Sequence, residues 1–378
     1  MKFLRTDVEE RKLNTREELQ EYLEFRTKND VWCRPAVNET SVVGIGVSET
    51  MHQEDINIPE EVRKVALADN QLLYAFPCNF IPTILPIRYT AFPDICNRAG
   101  LKGRTIEAFM PKNKLGILDP VIKAYFLSTG LSLNAYDCNI LIRDEKVSSV
   151  KSHEYQIFPE EALINLLEDE LRITWKHFTY STGAVSHEYL SVSYLLHATD
   201  MEESFRLRLE DMGVEKIPTI QAGVQLSTSD VGNSAVSIAP YYLMDGCKIY
   251  LGKPAKIRHD KGRTLTDLEN VLHKVGALFR EAEEEIETLG NTEIQYPADC
   301  FLNLVNENSL PKTTAKEMVN RWYTSQEATA LDIYIALNKL VERHYATSQM
   351  SLKAFIEMSE LVAGLMYVDY TKFDHIEE

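Results

Sequence analysis

Thr219-Ile220-Gln221-Ala222-Gly223-Val224-Gln225-Leu226-Ser227-Thr228-Ser229-Asp230-Val231-Gly232-Asn233-Ser234-Ala235-Val236-Ser237-Ile238-Ala239-Pro240-Tyr241-Tyr242-Leu243 holds two β-prone runs, 219–226 and 235–243. Between them, Gly232 permits a positive φ while Asp230 and Asn233 can bond neighbouring amides, so the link reads as a structural turn between two strands. Working outward, 173–180 and 189–195 alternate in the same way, and 248–251 is a shorter strand. Upstream, 138–143 and 147–155 flank Asp144-Glu145-Lys146 and read as a hairpin. Strand follows strand with short links and few helices between, which implies an antiparallel sheet.

The flanks are helical. Thr15-Arg16-Glu17-Glu18 fits a capping box, followed by Leu19, Tyr22 and Leu23 at helical spacing. Further helices are predicted over 92–99, 116–128 and 159–171, while Pro82, Pro86 and Pro93 make 79–93 an irregular connection. From Thr264 to 288, Leu265, Leu268, Leu272, Val275, Leu278 and Phe279 form one stripe, predicting a single long helix that ends at Gly290. Helices over 297–306, 314–322, 326–345 and 352–367 complete the chain. The fold class is therefore α+β: a central antiparallel sheet with a long following helix and a helical C-terminal region. The expected division is a mixed N-terminal region (1–135), the sheet with its long helix (136–290), and the helical region (291–378).

The charge constrains function more than the fold does. Forty Lys and Arg against 57 Asp and Glu give −17 over 378 residues, which excludes a protein that coats nucleic acid by overall charge. The six cysteines stand singly, without paired metal-ligand spacing, and read as free thiols of a reducing compartment. The first residues, Met1-Lys2-Phe3-Leu4-Arg5-Thr6-Asp7, carry no apolar leader, and no apolar run spans a membrane. A cytoplasmic protein without membrane partners is expected, in the host cytoplasm if phage-encoded. Ser41-Val42-Val43-Gly44-Ile45-Gly46-Val47 lacks the third glycine and helix start of a dinucleotide loop, and no cofactor is expected.

Several segments, taken in order, resemble a family of phage and plasmid proteins known as domain-of-unknown-function family 932. Val147-Ser148-Ser149-Val150-Lys151-Ser152-His153-Glu154-Tyr155 resembles its strand ending in Ser-x-x-Tyr, and Phe158 to Leu163 the helix that follows. The central strand running into Asp230-Val231-Gly232-Asn233-Ser234-Ala235 resembles its acidic-x-Gly-x-Ser-Ala turn. Arg258-His259-Asp260-Lys261-Gly262 resembles its Arg-His-x-x-Gly before a helix. The agreement in order spans about residues 85–290; Asp245-Gly246-Cys247 departs from the family's usual Cys-x-Asn-Gly. The resemblance implies a mobile-element setting and marks Ser152, Tyr155, Asp230, Gly232, Asn233, Ser234 and Gly262 as motif residues.

In so acidic a chain, Lys253-Pro254-Ala255-Lys256-Ile257-Arg258-His259-Asp260-Lys261-Gly262-Arg263 is a local inversion: five cations against one Asp, at the start of a predicted helix. Cations and helix N-terminal amides are what phosphate binding rests on. The competing reading is a solvated loop balanced by acids such as 281–287. A second cluster comprises Arg98, Lys102, Arg104, Lys112 and Lys114. Trp175, Phe178, Tyr180, Tyr189 and Tyr194 could stack unpaired bases, or pack the core. His259, among cations, is expected to be neutral.

These features predict a phage- or plasmid-type accessory protein that binds single-stranded DNA or RNA through a sheet face and the basic run, with strand annealing and recombination as the setting and a homo-oligomer as one way to line a groove. The binding residues are Lys253, Lys256, Arg258, His259, Lys261, Arg263, Lys102, Arg104, Lys112 and Lys114. No catalytic residue and no metal ligand is assigned. Two alternatives stand beside it: a structural or interaction protein of a phage particle or a host-inhibiting factor, and a metal-dependent nucleic-acid enzyme using Asp230 with Asp144, Glu145, Glu154 or Glu188.

Overall fold

The computed structural model describes residues 10–45, 58–68, 71–77, 83–101, 120–212, 217–232, 234–319 and 328–376. Strand β1 (Arg11–Leu13) leads into α1 (Arg16–Asn29), then β2 (Val31–Cys33), β3 (Ser41–Gly44), α2 (Glu60–Ala68), β4 (Leu72–Ala75), β5 (Ile84–Pro86), α3 (Phe92–Arg98) and α4 (Pro120–Ser132). The middle of the chain is β6 (Cys138–Arg143), β7 (Lys146–Ser152), α5 (Glu160–Trp175), β8 (Phe178–Val185), β9 (Leu190–Leu196), α6 (Thr199–Asp211), β10 (Ile220–Thr228), β11 (Val236–Met244), β12 (Cys247–Tyr250) and β13 (Ala255–Ile257). Then follow α7 (Leu265–Leu272), α8 (Val275–Gly290), β14 (Glu293–Ile294), α9 (Pro297–Glu307), α10 (Lys312–Val319), β15 (Ala328–Thr329), α11 (Ala330–Thr347) and α12 (Leu352–Gly364).

The fold is α+β, as the sequence predicts. Seven strands form a sheet in the order β1-β8-β9-β10-β11-β12, with β13 beside β12 on the outer side of β11, and every pairing is antiparallel. Two three-stranded sheets, β2-β6-β7 and β3-β4-β5, sit upstream in the chain. The expected boundary at 135/136 is crossed by two pairings, β1 with β8 and β2 with β6, so the N-terminal segment is built into both sheets. No helix among the described residues is long and apolar enough to cross a membrane.

Local chemistry explains the elements. Thr15 accepts from the Glu18 amide, and the Glu18 carboxylate accepts from the Asn14 amide, one residue earlier than in a standard capping box. Asp144 and Glu145 both adopt positive φ, 52° and 59°, the geometry of a tight two-residue hairpin turn, and Lys146 belongs to the strand rather than the turn.

Three predicted elements come out differently. The connection expected to be irregular over 79–93 contains β5, which pairs with β4. Residues 173–175 belong to α5, not a strand; Lys176, at φ 57°, stops the helix, so that β8 starts at Phe178. Ile173 there is exposed, and the alternation that suggested a strand was coincidental. The single helix from Thr264 is two helices, because Lys274 N–H donates to Val271 one residue short of the α-helical partner and the chain turns. Leu272 and Val275 stay buried across the joint, so the apolar stripe is unbroken and conceals it.

One face of the large sheet (Val192, Tyr194, Val224, Leu226, Ile238, Tyr242) packs with α1, α5, α7 and α8 into the main core. The other carries Ser191, Ser193, Gln225, Ser227, Ser237, Tyr241, Lys248 and Tyr250, and α11 and α12 cross part of it. Strand alternation forces this partition: Ser191, Ser193, Gln225 and Ser237 each lie between two core residues.

Candidate functional site

The turn at Asp230 leads into a closed ionic centre. Arg143, at the end of β6, places Nη2 2.5 Å from Asp30, 2.9 Å from Asp230 and 3.9 Å from Glu160, and its Nη1 donates to the His187 carbonyl at 3.3 Å. Arg26 from α1 meets Asp144 at 3.1 Å and Asp30 at 3.4 Å. Arg88 meets the imidazole of His187, with Asp144 at 3.9 Å. All of these side chains are nearly or wholly buried.

Burial, then Asp230, pushes the Glu160 carboxyl up to about 8, and burial likewise raises Asp230. Burial, then Arg88, holds His187 neutral. Three arginines thus face Asp30, Asp144 and Asp230, with protonated Glu160 among them, in a buried joint between α1, the β6–β7 hairpin, α5 and the β10–β11 turn. A substrate has no room here, and Asp230 is a fastening. The two-metal arrangement considered from sequence is not assembled among the described residues: Asp144 and Asp230 face arginines, Glu154 pairs with Lys261 at 3.1 Å, and Glu188 with Lys353 at 3.5 Å.

The motif segments converge beside this centre. Tyr155 reaches the Ser229 and Asp230 carbonyls at 3.5 Å and stacks on His259 with ring centroids 4.8 Å apart. The Ser152 carbonyl accepts from the Tyr155 amide, and the Ser234 hydroxyl donates to the Ala235 carbonyl. Gly232 has φ +72°, a backbone conformation that calls for glycine. Gly262 also takes a positive φ, +83°. His259 is buried, with Nδ1 2.9 Å from the Gln156 carbonyl; its pKa is lowered, as the sequence suggests, but burial rather than neighbouring cations is the main cause. Its ring is therefore within the fold and not on a binding surface.

The basic run lies on β13 and the loop to α7. Its five cations are exposed, and four pair with a carboxylate: Lys256 with Glu360 at 2.6 Å, Arg258 with Asp260 at 3.1 Å, Lys261 with Glu154 at 3.1 Å and Arg263 with Asp267 at 3.3 Å. Lys253 is exposed, its stem beside Gly364. The acids at 281–287 are not these partners. Lys102, Arg104, Lys112, Lys114 and Asn233 lie outside the described residues. Of the aromatic residues considered for stacking, Tyr189 and Tyr194 are buried and Trp175, Phe178 and Tyr180 pack against the main core.

Sequence reading missed the second face of the sheet. A cleft of about 1070 Å³ opens there between β8, β9 and β10 and the α11–α12 corner, lined among others by Ser181, Ser191, Ser193, Gln225, Lys248 and Glu342. Lys248 Nζ donates to Ser193 Oγ at 2.6 Å and to Gln225 Oε1 at 2.8 Å, and lies 5.1 Å from the Tyr241 ring centroid. Burial pushes this ammonium down to about 8, with Glu342 pulling the other way. The cleft's ions balance, Lys12, Lys248 and Lys353 against Glu10, Glu188 and Glu342.

A polar row continues from the cleft to the basic run. Ser191, Ser227, Ser237 and Lys256 are direct cross-strand partners on β9, β10, β11 and β13. Where the row reaches α12, the Glu360 carboxylate accepts from Ser237 Oγ at 2.8 Å and from Lys256 Nζ at 2.6 Å. A hydroxyl and an ammonium converging on one carboxylate make a small anion site, filled here by the protein's own side chain. Comparison of the chain with protein-family models, with curated proteins and with solved structures finds no match.

Proposed function

We propose that the protein binds single-stranded nucleic acid along the polar face of its large sheet, as an accessory protein of the phage or plasmid type that its motif segments resemble. The observation that carries this reading is the exposed basic run, which the in-register row Ser191, Ser227, Ser237 and Lys256, its serines buried, joins to an open cleft. The exposed Lys12, Ser348 and Gln349 of that cleft offer hydrogen bonds to sugar, phosphate and unpaired base edges without demanding a sequence.

The ion pairs of the run support it too. Arg258 and Lys261 are more than two-thirds exposed, and exposed pairs contribute only about 0–1 kcal/mol, so phosphates can exchange for their carboxylate partners. Glu360 occupies the position a phosphate would take between Ser237 and Lys256, and a strand engaging the whole row displaces it. Because the cleft itself is charge-balanced, attraction comes from the run and the cleft supplies hydrogen bonding.

Fluorescence anisotropy with a labelled single-stranded oligonucleotide, titrated at rising salt, tests the proposal. Binding at low salt that weakens steeply with ionic strength is expected, with a slope that falls when Lys256, Arg258, Lys261 and Arg263 are changed together to Glu. Absence of binding at low salt overturns the function in favour of a structural or interaction role. Binding with an unchanged slope in the fourfold variant overturns the site.

A further inference from the structure

We infer that Glu170, Glu269 and His273 form a binding site for a divalent transition metal ion, Zn²⁺ or Co²⁺ in class, between α5 and α7. Each of the three offers one ligand atom, and all of these atoms lie within 4.8 Å of one another. Four ligands held tetrahedrally at zinc's usual bond lengths stand about 3.4 Å apart, so three converging donors at this spacing need only small rotamer adjustments. Glu269 and His273 are four residues apart, and the His273 amide donates to the Glu269 carbonyl at 3.0 Å, which sets both side chains on one side of α7. Glu170 faces them from α5.

A second observation points to a missing cation. Glu170 is 5% exposed, yet its Oε2 is buried and accepts no hydrogen bond. His273 Nδ1 approaches that same oxygen at 3.2 Å without hydrogen-bond alignment. A buried carboxylate oxygen left unsatisfied destabilises the fold, and a coordinated cation removes that cost. One imidazole with two carboxylates suits a borderline ion; Mg²⁺ and Ca²⁺, which take oxygen ligands, fit an imidazole poorly. Half-exposed His273 and partly buried Glu269 leave the remaining coordination positions to water, so the ion joins two helices and keeps an open side. The helix it fastens is the one that follows the basic run directly, but the site depends in no way on nucleic-acid binding.

Chelator-treated full-length protein titrated with CoCl₂ tests this, read by visible d–d absorption and by calorimetry, with ZnCl₂ as competitor. One Co²⁺ per chain, displaced by Zn²⁺, is expected, along with a raised melting temperature in the presence of Zn²⁺. Because His273 and Glu269 reach the surface, His273→Ala and Glu269→Gln keep the fold, checked by circular dichroism, and each is expected to weaken binding by at least tenfold. No uptake by the parent, or equal uptake by both folded variants, overturns the site.

Discussion

The protein contains two concentrations of polar side chains inside its fold, and they are built on opposite principles. Around Arg143 the side chains close on one another: three arginines face Asp30, Asp144 and Asp230, while Glu160 is protonated at neutral pH and His187 is neutral. On the outer face of the sheet, Lys248, Ser193 and Gln225 bond to each other yet line an open cleft, and the neighbouring row, Ser191, Ser227, Ser237 and Lys256, ends at Glu360. Opposed charges packed in a buried space make the first a joint between elements. An open cleft beside its polar lining makes the second a place for a ligand.

The largest separation is expected in stability. Arg143→Met leaves Asp30, Asp230 and Glu160 buried without their common cation, and a loss of about 3–5 kcal/mol in urea unfolding is expected. Lys248→Met removes a lysine whose charge is already costly to keep, and is expected to shift stability by about 1 kcal/mol or less while weakening oligonucleotide binding. Equal destabilisation by the two changes breaks the contrast.

A pH experiment sharpens it. Glu160, raised to about 8, stabilises the fold only while protonated, so its contribution is complete below its unfolded pKa of about 4.3 and is lost as pH rises through 8. The stability of the parent from urea unfolding is expected to fall between pH 6 and pH 8, by at most about 1.4 kcal/mol per pH unit, and Glu160→Gln to flatten that fall. A parent curve that rises over this interval contradicts the buried-acid reading of the joint.

The smallest effect is local to the cleft. Lys248, lowered to about 8, is expected to show an NMR titration midpoint near that value, and to add stability as pH rises from 8 toward the ordinary lysine range, where the unfolded chain holds the extra proton. A midpoint above 10 contradicts its burial among the cleft residues.

The contrast between the two regions also governs what the sequence could disclose. Strand alternation exposed the sheet, because Leu190, Val192 and Tyr194 or Val224 and Leu226 mark a core face by local pattern. The same pattern made the intervening Ser191, Ser193, Gln225 and Ser227 look like solvent-facing spacers; nothing local announces that α11 and α12, over a hundred residues later, come to cross them. Lys248 gave a faint signal as the one lysine within the β12 run. Asp230 was legible as a turn residue but not as Arg143's partner, since their pairing spans 87 residues. An arginine closing the apolar run Cys138 to Ile142 was the available clue. The joint between α7 and α8 was illegible for a different reason, as the apolar stripe runs through it unbroken.

The central claim is that the Ser237–Lys256 pair is an anion site on a binding row and that Glu360 fills it when no ligand is bound. Oligonucleotide affinity of Glu360→Gln against the parent, at fixed low salt, measures this directly. Removing the competing carboxylate is expected to tighten binding several-fold, with Lys256→Glu weakening it. Affinity unchanged or reduced in a folded Glu360→Gln protein contradicts the account.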